Sequence, residues 1–475
     1  MSLLVLIVSS IFPGCSSAPD TKYISEIYSK PAQEIGSQRV PVVVLPGILG
    51  SKIEDRKDGA KIWGAFTFGA VDVDKPTGAR QFALPMEVGV PLSKLTDDGQ
   101  ATEVLDVLVA DIGIFRGIKI GAYVNILQTL AVGKYRDKSL GESGYVDYGG
   151  LHYTCFQFAY DWRRDISEQS LYLHQQILES QRAVRKGMNM SPDEPVKIDV
   201  VAHSMGGLVL RYYLRYGPNP LPDDGSLPEI TWEGAENVSR AFIVGSPSAG
   251  SLESLSQLVS GMNLNPIFPN YRPGIVGTLP AIYQLLPRTR HGLVRDKITG
   301  ETIDIFDADV WERYQWGMMD PREDKPLRWL LPEVKDRSDR LRIAKDHLQK
   351  CLDRAQQFFQ AIDAPATPPT HTQLHLFAGD SQPTTGVLLV DSNGIITVGE
   401  EHLGDGTVTR ASALMDERVG QSWEVGLKSP IAWERIQFID TDHLGLTRDP
   451  SFVNNLLFQM LESPRIDHEH PLFTK

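Results

Sequence analysis

Three residues stand in settings that would suit nucleophilic catalysis: a serine, a histidine and an aspartate. Ser204 lies in the pentapeptide AHSMG, and His443 lies in the pentapeptide DHLGL. A serine hydroxyl becomes a good nucleophile when a histidine takes its proton, and a carboxylate orients that histidine. These residues therefore predict acyl transfer through a covalent acyl-serine intermediate.

The residues around Ser204 predict the turn that would present its hydroxyl. An apolar, β-branched run at 196–201 reads as a buried strand, and the apolar positions at 208–213 read as a helix. Such a strand–turn–helix is the nucleophile elbow of α/β-hydrolases. Because the turn is tight, the positions two before and two after the serine must be small, and they are Ala202 and Gly206.

The base and the acid are expected on loops that follow later strands of the same sheet. His443 lies on the loop just after the predicted strand 435–439, where this fold places its catalytic histidine. Asp380 follows the predicted strand 373–378, and Asp405 lies in GDGTV, beyond a hairpin-like excursion at 387–398. The residues alone leave Asp380 and Asp405 as alternatives for the acid.

An oxyanion hole requires two backbone N–H groups that converge on the substrate oxygen. The residue after the nucleophile, Met205, is expected to supply one of them. The other is expected from Ile48, because VVVLPGILG at 42–50 reads as a buried strand that runs into a Pro-Gly turn.

The order of predicted elements indicates an α/β fold with a mostly parallel sheet. A helix at 123–130, a strand at 152–160 and a helix at 173–184 precede the elbow, and this alternation is typical of βαβ units. We predict an α/β-hydrolase core with an inserted cap. The predicted segments are a signal peptide, lipobox and tether (1–20), a first core part (21–249), the cap (250–370) and a second core part (371–475).

Composition excludes several other classes of function. The chain has 475 residues and a formal net charge of −13, which argues against a nucleic-acid-binding face. It carries no P-loop, no dinucleotide-binding glycine motif and no zinc-type cluster. We therefore expect no cofactor and no metal.

The N-terminal segment predicts export. Residues 3–12 are apolar but too short to span a bilayer as a helix, and this length suits a signal peptide. Gly14 and Cys15 follow, as in a bacterial lipobox, so Cys15 is a candidate lipidation site. The expected location is a bacterial cell envelope, as a membrane-anchored lipoprotein or as a secreted or periplasmic protein.

The loop 51–95 shows no sustained period but contains large apolar residues among charged ones. Trp63, Phe66 and Phe68 form a candidate lid that contacts lipid, since exposed apolar patches usually mark interaction sites. The alternative is a loop that packs onto the core.

Several segments together resemble the lecithin:cholesterol acyltransferase family, which includes lysosomal phospholipase and phospholipid:diacylglycerol acyltransferases. The matching segments, in the family's order between Val40 and Leu446, are PVVVLPGILGSKIE, FAYDWRRD, VVAHSMGGLVLRYYL, FIVGSPSAGS, GDGTV and DHLGL. The resemblance implies Ser204 as nucleophile, Asp405 rather than Asp380 as acid, and His443 as base. It also implies the amides of Ile48 and Met205 as the oxyanion hole. The animal members staple their lid with a disulfide, for which this chain has no cysteines in the loop.

The expected function is acyl transfer from a phospholipid or acylglycerol to a hydroxyl acceptor or to water, at a membrane or lipid surface. One alternative is a soluble carboxylesterase. A non-catalytic envelope lipoprotein that binds lipid in a hydrolase-like pocket is a third hypothesis.

Overall fold

The computed structural model describes residues 22–34, 36, 39–64, 70–105, 107–112, 115–121, 123–150, 152–263 and 269–465. Within these ranges, no helix is both long enough and apolar enough to cross a membrane.

A six-stranded sheet forms the centre of the protein, and all five of its strand pairs are parallel. Its strands are β1 (Val42–Leu45), β2 (Cys155–Gln157), β3 (Ile198–His203), β4 (Val238–Val244), β5 (Gln373–Gly379) and β6 (Trp433–Ile439). Their order across the sheet is β6-β5-β4-β3-β1-β2. The strand that ends at the elbow, β3, therefore lies in the middle of the sheet.

Both faces of the sheet are buried, because side chains of a strand alternate between its two faces. In β1, Val43 and Leu45 pack into a large core with the elbow helix and the long helix Arg337–Asp363. Val42 and Val44 pack into a second core with the helices Val124–Val132 and Pro450–Leu461. Near-continuous apolar runs are what a parallel sheet covered on both faces requires.

The described α-helices cover the sheet and fill the predicted cap. Their bounds are Lys22–Ile27, Pro76–Phe82, Val124–Val132, Lys138–Glu142, Gln169–Met188, Met205–Tyr216, Leu252–Ser260, Pro273–Val276, Pro280–Tyr283, Ala308–Tyr314, Asp324–Leu330, Arg337–Asp363, Arg410–Leu414 and Pro450–Leu461. The segment predicted as the cap is mainly helical, and its boundaries stay a prediction.

Smaller sheets lie outside the central one. The strands Gln382–Val390 and Ile396–Gly404 form the expected hairpin, and the short strand Val294–Asp296 pairs with its first strand. The strands Ser51–Asp55, Lys61–Trp63 and Gly99–Val104 form a second sheet. A two-stranded sheet pairs Val107–Ile112 with Phe115–Gly121. The loop 51–95 is therefore more regular than its sequence indicates, and the strand expected at 152–160 is only three residues long.

Candidate active site

Ser204 occupies a strained turn between β3 and the helix Met205–Tyr216. Its φ and ψ are 53° and −126°, a conformation that non-glycine residues rarely adopt. A Cβ on Gly206 would lie 2.5 Å from the carbonyl oxygen of Pro46, and a Cβ on Gly207 would lie 1.9 Å from Ser246 Oγ. The small residues after the serine are therefore required by close packing, as the elbow pattern predicts.

Ser204, His443 and Asp405 form one hydrogen-bonded chain at the carboxyl ends of the sheet strands. Ser204 Oγ lies 3.0 Å from His443 Nε2, and His443 Nδ1 lies 2.7 Å from Asp405 Oδ2. The backbone N–H of His443 also donates to the carbonyl oxygen of Asp405, at 2.9 Å. This arrangement can move the serine proton to the imidazole while the carboxylate holds the ring.

Asp405 is buried and is held as a carboxylate. Burial alone would raise its pKa, but the nearby His443 and its hydrogen bond lower it, and so do two backbone donors. These donors are the N–H groups of Thr407 and Val408, at 2.9 and 2.7 Å from Oδ1. The net effect is a pKa below the ordinary value of an aspartate.

The hairpin explains how Asp405 comes to lie at the end of β5, where Asp380 follows in sequence. Residues 382 and 404 pair across the hairpin, which returns the chain to its starting point. A Cβ on Gly379, the last residue of β5, would lie 2.6 Å from Asp405 Cβ. The carboxylate hydrogen-bonded to His443 is therefore that of Asp405 and not that of Asp380.

The loop 46–50, which follows β1, lies directly against Ser204. A Cβ on Gly47 would be 2.7 Å from Ser204 Cβ. The backbone N–H of Ile48 has no hydrogen-bond partner among the residues that the structure describes. Met205 is the first residue of its helix, so its N–H has no intrahelical acceptor. Both expected oxyanion donors thus belong to backbone segments next to the serine, and their role stays a prediction.

Three buried aromatic side chains hold the loop 46–50 through hydrogen bonds to its backbone. Tyr160 Oη donates to the carbonyl oxygen of Pro46, at 2.7 Å, and the N–H of Gly47 donates to Tyr123 Oη, at 2.6 Å. Trp63 Nε1 donates to the carbonyl oxygen of Leu49, at 2.8 Å. The backbone of the loop is thus held by hydrogen bonds at Pro46, Gly47 and Leu49.

The position of Trp63 corrects the expectation that it contacts lipid. It is 2% exposed, and its ring packs edge-on against Trp162 and Tyr271. The prediction of lipid contact is therefore wrong for Trp63, because its indole ring is buried in the core and its N–H is hydrogen-bonded to the loop 46–50. Phe66, Phe68 and the candidate lipidation site Cys15 lie outside the described residues.

Sequence reasoning missed Tyr123, Tyr160 and His203 as residues of the site. Tyr160 stood out only as the last residue of the predicted strand 152–160. Tyr123 stood out only as an apolar position of a covering helix. For His203, the one signal in the sequence was its position directly before Ser204.

Two large open clefts of the described surface are not lined by Ser204, His443 or Asp405. A cleft of about 640 Å³ is lined by residues such as Arg164 and Arg354, and one of about 900 Å³ by residues such as Arg272 and Tyr314. Ser204 itself is 8% exposed. In the same described ranges, no group of three or more His, Cys, Asp or Glu side chains could hold a metal ion.

Residues 132–363 match the family model described as Lecithin:cholesterol acyltransferase. Over these residues the chain is similar to the lecithin:cholesterol acyltransferase family. The matched range contains the elbow and most of the predicted cap, and it ends before Asp405 and His443. This match supports a hydrolase or an acyltransferase that acts on lipid esters.

One solved structure shares the fold of the protein. A chain in the crystal structure of the Tle4-Tli4 complex matches with a TM-score of 0.53 at 15% identity, covering 89% of this chain and 98% of that one. Together with the parallel sheet and the elbow, this similarity confirms the predicted α/β-hydrolase fold.

Two further structures match at lower TM-scores. Bacillus licheniformis lipase BlEst2 in propeptide form matches at 0.33 and 9% identity, covering 92% of this chain and 53% of that one. EstA from Clostridium botulinum matches at 0.32 and 11% identity, covering 95% and 92%. A comparison with curated proteins finds no match.

Proposed function

We propose that the protein is a serine-dependent acyl-transferring enzyme that acts on lipid esters. The observation that carries the proposal is the hydrogen-bonded chain from Ser204 Oγ through His443 to Asp405, on a strained elbow. The match to the lecithin:cholesterol acyltransferase family supports a phospholipid or acylglycerol as the acyl donor.

In the first half-reaction, Ser204 Oγ attacks the carbonyl carbon of the ester while His443 Nε2 takes its proton. The carbonyl oxygen becomes negatively charged, and the N–H groups of Ile48 and Met205 would stabilise it. The carbon–oxygen bond to the alcohol then breaks, and the alcohol leaves with the proton from His443. The acyl group remains bound to Ser204 as an ester.

In the second half-reaction, His443 takes a proton from an acceptor that attacks the acyl-serine, and it gives this proton to Ser204 Oγ as the acyl–oxygen bond breaks. Water as acceptor yields a fatty acid, and an alcohol as acceptor yields a new ester. Both outcomes use the same three side chains, so the acceptor depends on which hydroxyl reaches the acyl-serine and on how well water is excluded.

The test is lipid mass spectrometry on vesicles that contain a phospholipid together with a sterol or a diacylglycerol. We expect a lysophospholipid with either free fatty acid or a new sterol or glycerol ester from the wild type, and neither from Ser204→Ala. Activity of Ser204→Ala above about a thousandth of wild type would refute the proposed nucleophile, since loss of the nucleophilic serine in a comparable hydrolase costs about 10⁶ in kcat. Cleavage of short p-nitrophenyl esters with no turnover of vesicle lipid would identify a soluble carboxylesterase.

We also propose that the protein is exported and anchored through Cys15. The apolar segment 3–12 and the Gly14–Cys15 pair support this proposal. In a bacterial host fed a radiolabelled fatty acid, wild type should incorporate label and partition into detergent, and Cys15→Ser should do neither. Equal partition of both proteins would exclude lipidation at Cys15.

A further inference from the structure

A second series of hydrogen bonds lies next to the one that contains Ser204. The N–H of Gly47 donates to Tyr123 Oη at 2.6 Å, and Tyr123 Oη lies 3.4 Å from His203 Nδ1. His203 Nε2 lies 3.1 Å from the carbonyl oxygen of His443. This series links the loop 46–50, the end of β3 and the loop that carries His443.

The carbonyl oxygen of His443, at the end of this second series, fixes the direction of every hydrogen bond in it. The carbonyl oxygen of His443 can only accept, so the proton of a neutral His203 must be on Nε2. His203 Nδ1 is then an acceptor, and Tyr123 donates its hydroxyl proton to it. Tyr123 Oη keeps a lone pair free for the N–H of Gly47, so each group has one defined role.

Burial keeps His203 neutral, as this direction requires. The ring is 2% exposed, and the titratable groups that face it are Tyr123, His443 and Asp405. Burial first, and the proximity of His443 second, lower the pKa of His203 to about 3. The imidazole therefore stays uncharged over the pH range in which a serine hydrolase works.

The ring of Tyr123 also packs against the loop 46–50, so its position is fixed by packing as well as by hydrogen bonds. A Cβ on Gly50 would lie 2.4 Å from Tyr123 Cε2, so the ring is in tight contact with the loop backbone. Tyr123 is 3% exposed. The hydroxyl group is thus placed by packing and orients the peptide that precedes Ile48.

We infer that Tyr123 and His203 are positioning residues that fix the oxyanion loop and the His443 loop relative to Ser204. The inference rests on the proposed function, because it assigns these residues an effect on the Ser204 reaction. It goes beyond that function by naming two residues that do not touch the substrate but set the geometry of both catalytic loops.

Tyr123→Phe tests the inference in the full-length protein, because it removes the hydroxyl and keeps the ring. We expect kcat for a p-nitrophenyl ester to fall by about tenfold or more with little change in KM, since small misplacements of catalytic groups cost up to about 10²-fold. Tyr216→Phe is the matched control: it removes an equally buried hydroxyl that donates to Ala361, at the far end of the elbow helix. A kcat for Tyr123→Phe equal to that of the control would overturn the inference.

A double-mutant cycle with His203→Leu tests the connection between the two residues. Leucine is close to histidine in size and has neither the Nδ1 acceptor nor the Nε2 donor. The loss of kcat caused by Tyr123→Phe should therefore be several-fold smaller in the His203→Leu background than in wild type. Losses that simply multiply would show that the two side chains act separately.

Amide hydrogen exchange gives a readout that does not depend on catalysis. In Tyr123→Phe, the amide of Gly47 should exchange about tenfold faster or more, and in Tyr216→Phe it should exchange as in wild type. This result stands even if Ser204→Ala retains activity and the proposed function fails. Unchanged exchange in Tyr123→Phe would refute the hydrogen bond to Gly47.

Discussion

The substitution Asp405→Asn should almost abolish turnover by forcing His443 into the wrong tautomer. Asp405 Oδ1 accepts hydrogen bonds from the backbone N–H groups of Thr407 and Val408. An asparagine must keep its oxygen there, because an NH₂ group would face two donors. Its NH₂ group then takes the place of Oδ2, 2.7 Å from His443 Nδ1.

The substitution affects Ser204 through the imidazole ring of His443. With a donor facing Nδ1, the imidazole proton moves to Nε2, which lies 3.0 Å from Ser204 Oγ. A protonated Nε2 cannot accept the serine proton, and the imidazolium also loses its carboxylate. The same exchange in serine proteases costs about 10⁴ in kcat, which corresponds to about 5 kcal/mol of activation free energy.

The assay compares kcat and KM of Asp405→Asn and Asp380→Asn on a p-nitrophenyl ester, with thermal melting as a check on folding. We expect a loss of about 10⁴ in kcat for Asp405→Asn and near wild-type kcat for Asp380→Asn. Asparagine preserves the size of the side chain and the bonds to Oδ1, so the variant should stay folded. A folded Asp405→Asn with more than a tenth of wild-type kcat would refute the reasoning, and so would a large loss in Asp380→Asn.

Three further substitutions test the packing of the site and the acid sensitivity of the fold. Trp63→Phe removes the hydrogen bond to Leu49 and should lower kcat by about tenfold without changing vesicle binding in a sedimentation assay. Loss of vesicle binding would instead restore a lipid-contacting role. Gly207→Ala places a Cβ 1.9 Å from Ser246 Oγ and should lower the free energy of unfolding by about 2 kcal/mol or more in denaturant titrations; wild-type stability would contradict the tight contact. Burial lowers the pKa of His375 from 6.5 to about 3. Below pH 6.5 the unfolded state therefore binds a proton that the folded state does not, and the free energy of unfolding falls as the pH falls. His375→Phe should remove up to about 1.4 kcal/mol per pH unit of that acid sensitivity between pH 6.5 and 4, and an unchanged pH slope of the denaturation midpoint would contradict this.

Local sequence patterns were enough to predict the elbow and most strands of the central sheet. The strand β3, the turn at Ser204 and the helix after it are each specified by neighbours a few residues away. These features depend on short-range sterics and on the alternation of buried positions, which a sequence displays directly.

Features that depend on the return of a distant segment could not be predicted from the residues alone. Asp380 and Asp405 were alternatives because only the pairing of the hairpin strands shows that Asp405 returns to the end of β5. Trp63 looked like a surface residue because its partners, Leu49 and Tyr271, are far apart in sequence. Likewise, the hydroxyl of Tyr123 contacts a glycine 76 residues away, which no periodicity reveals.

The most direct test of the central claim is to trap the acyl group on the protein. Wild-type protein is mixed with excess p-nitrophenyl butyrate, quenched in acid during turnover, digested and mapped by tandem mass spectrometry. We predict a butyryl group on Ser204, which is absent from Ser204→Ala and from the untreated protein. Sustained release of p-nitrophenol with the acyl group on another residue, or with no acyl group on the protein, would contradict the account.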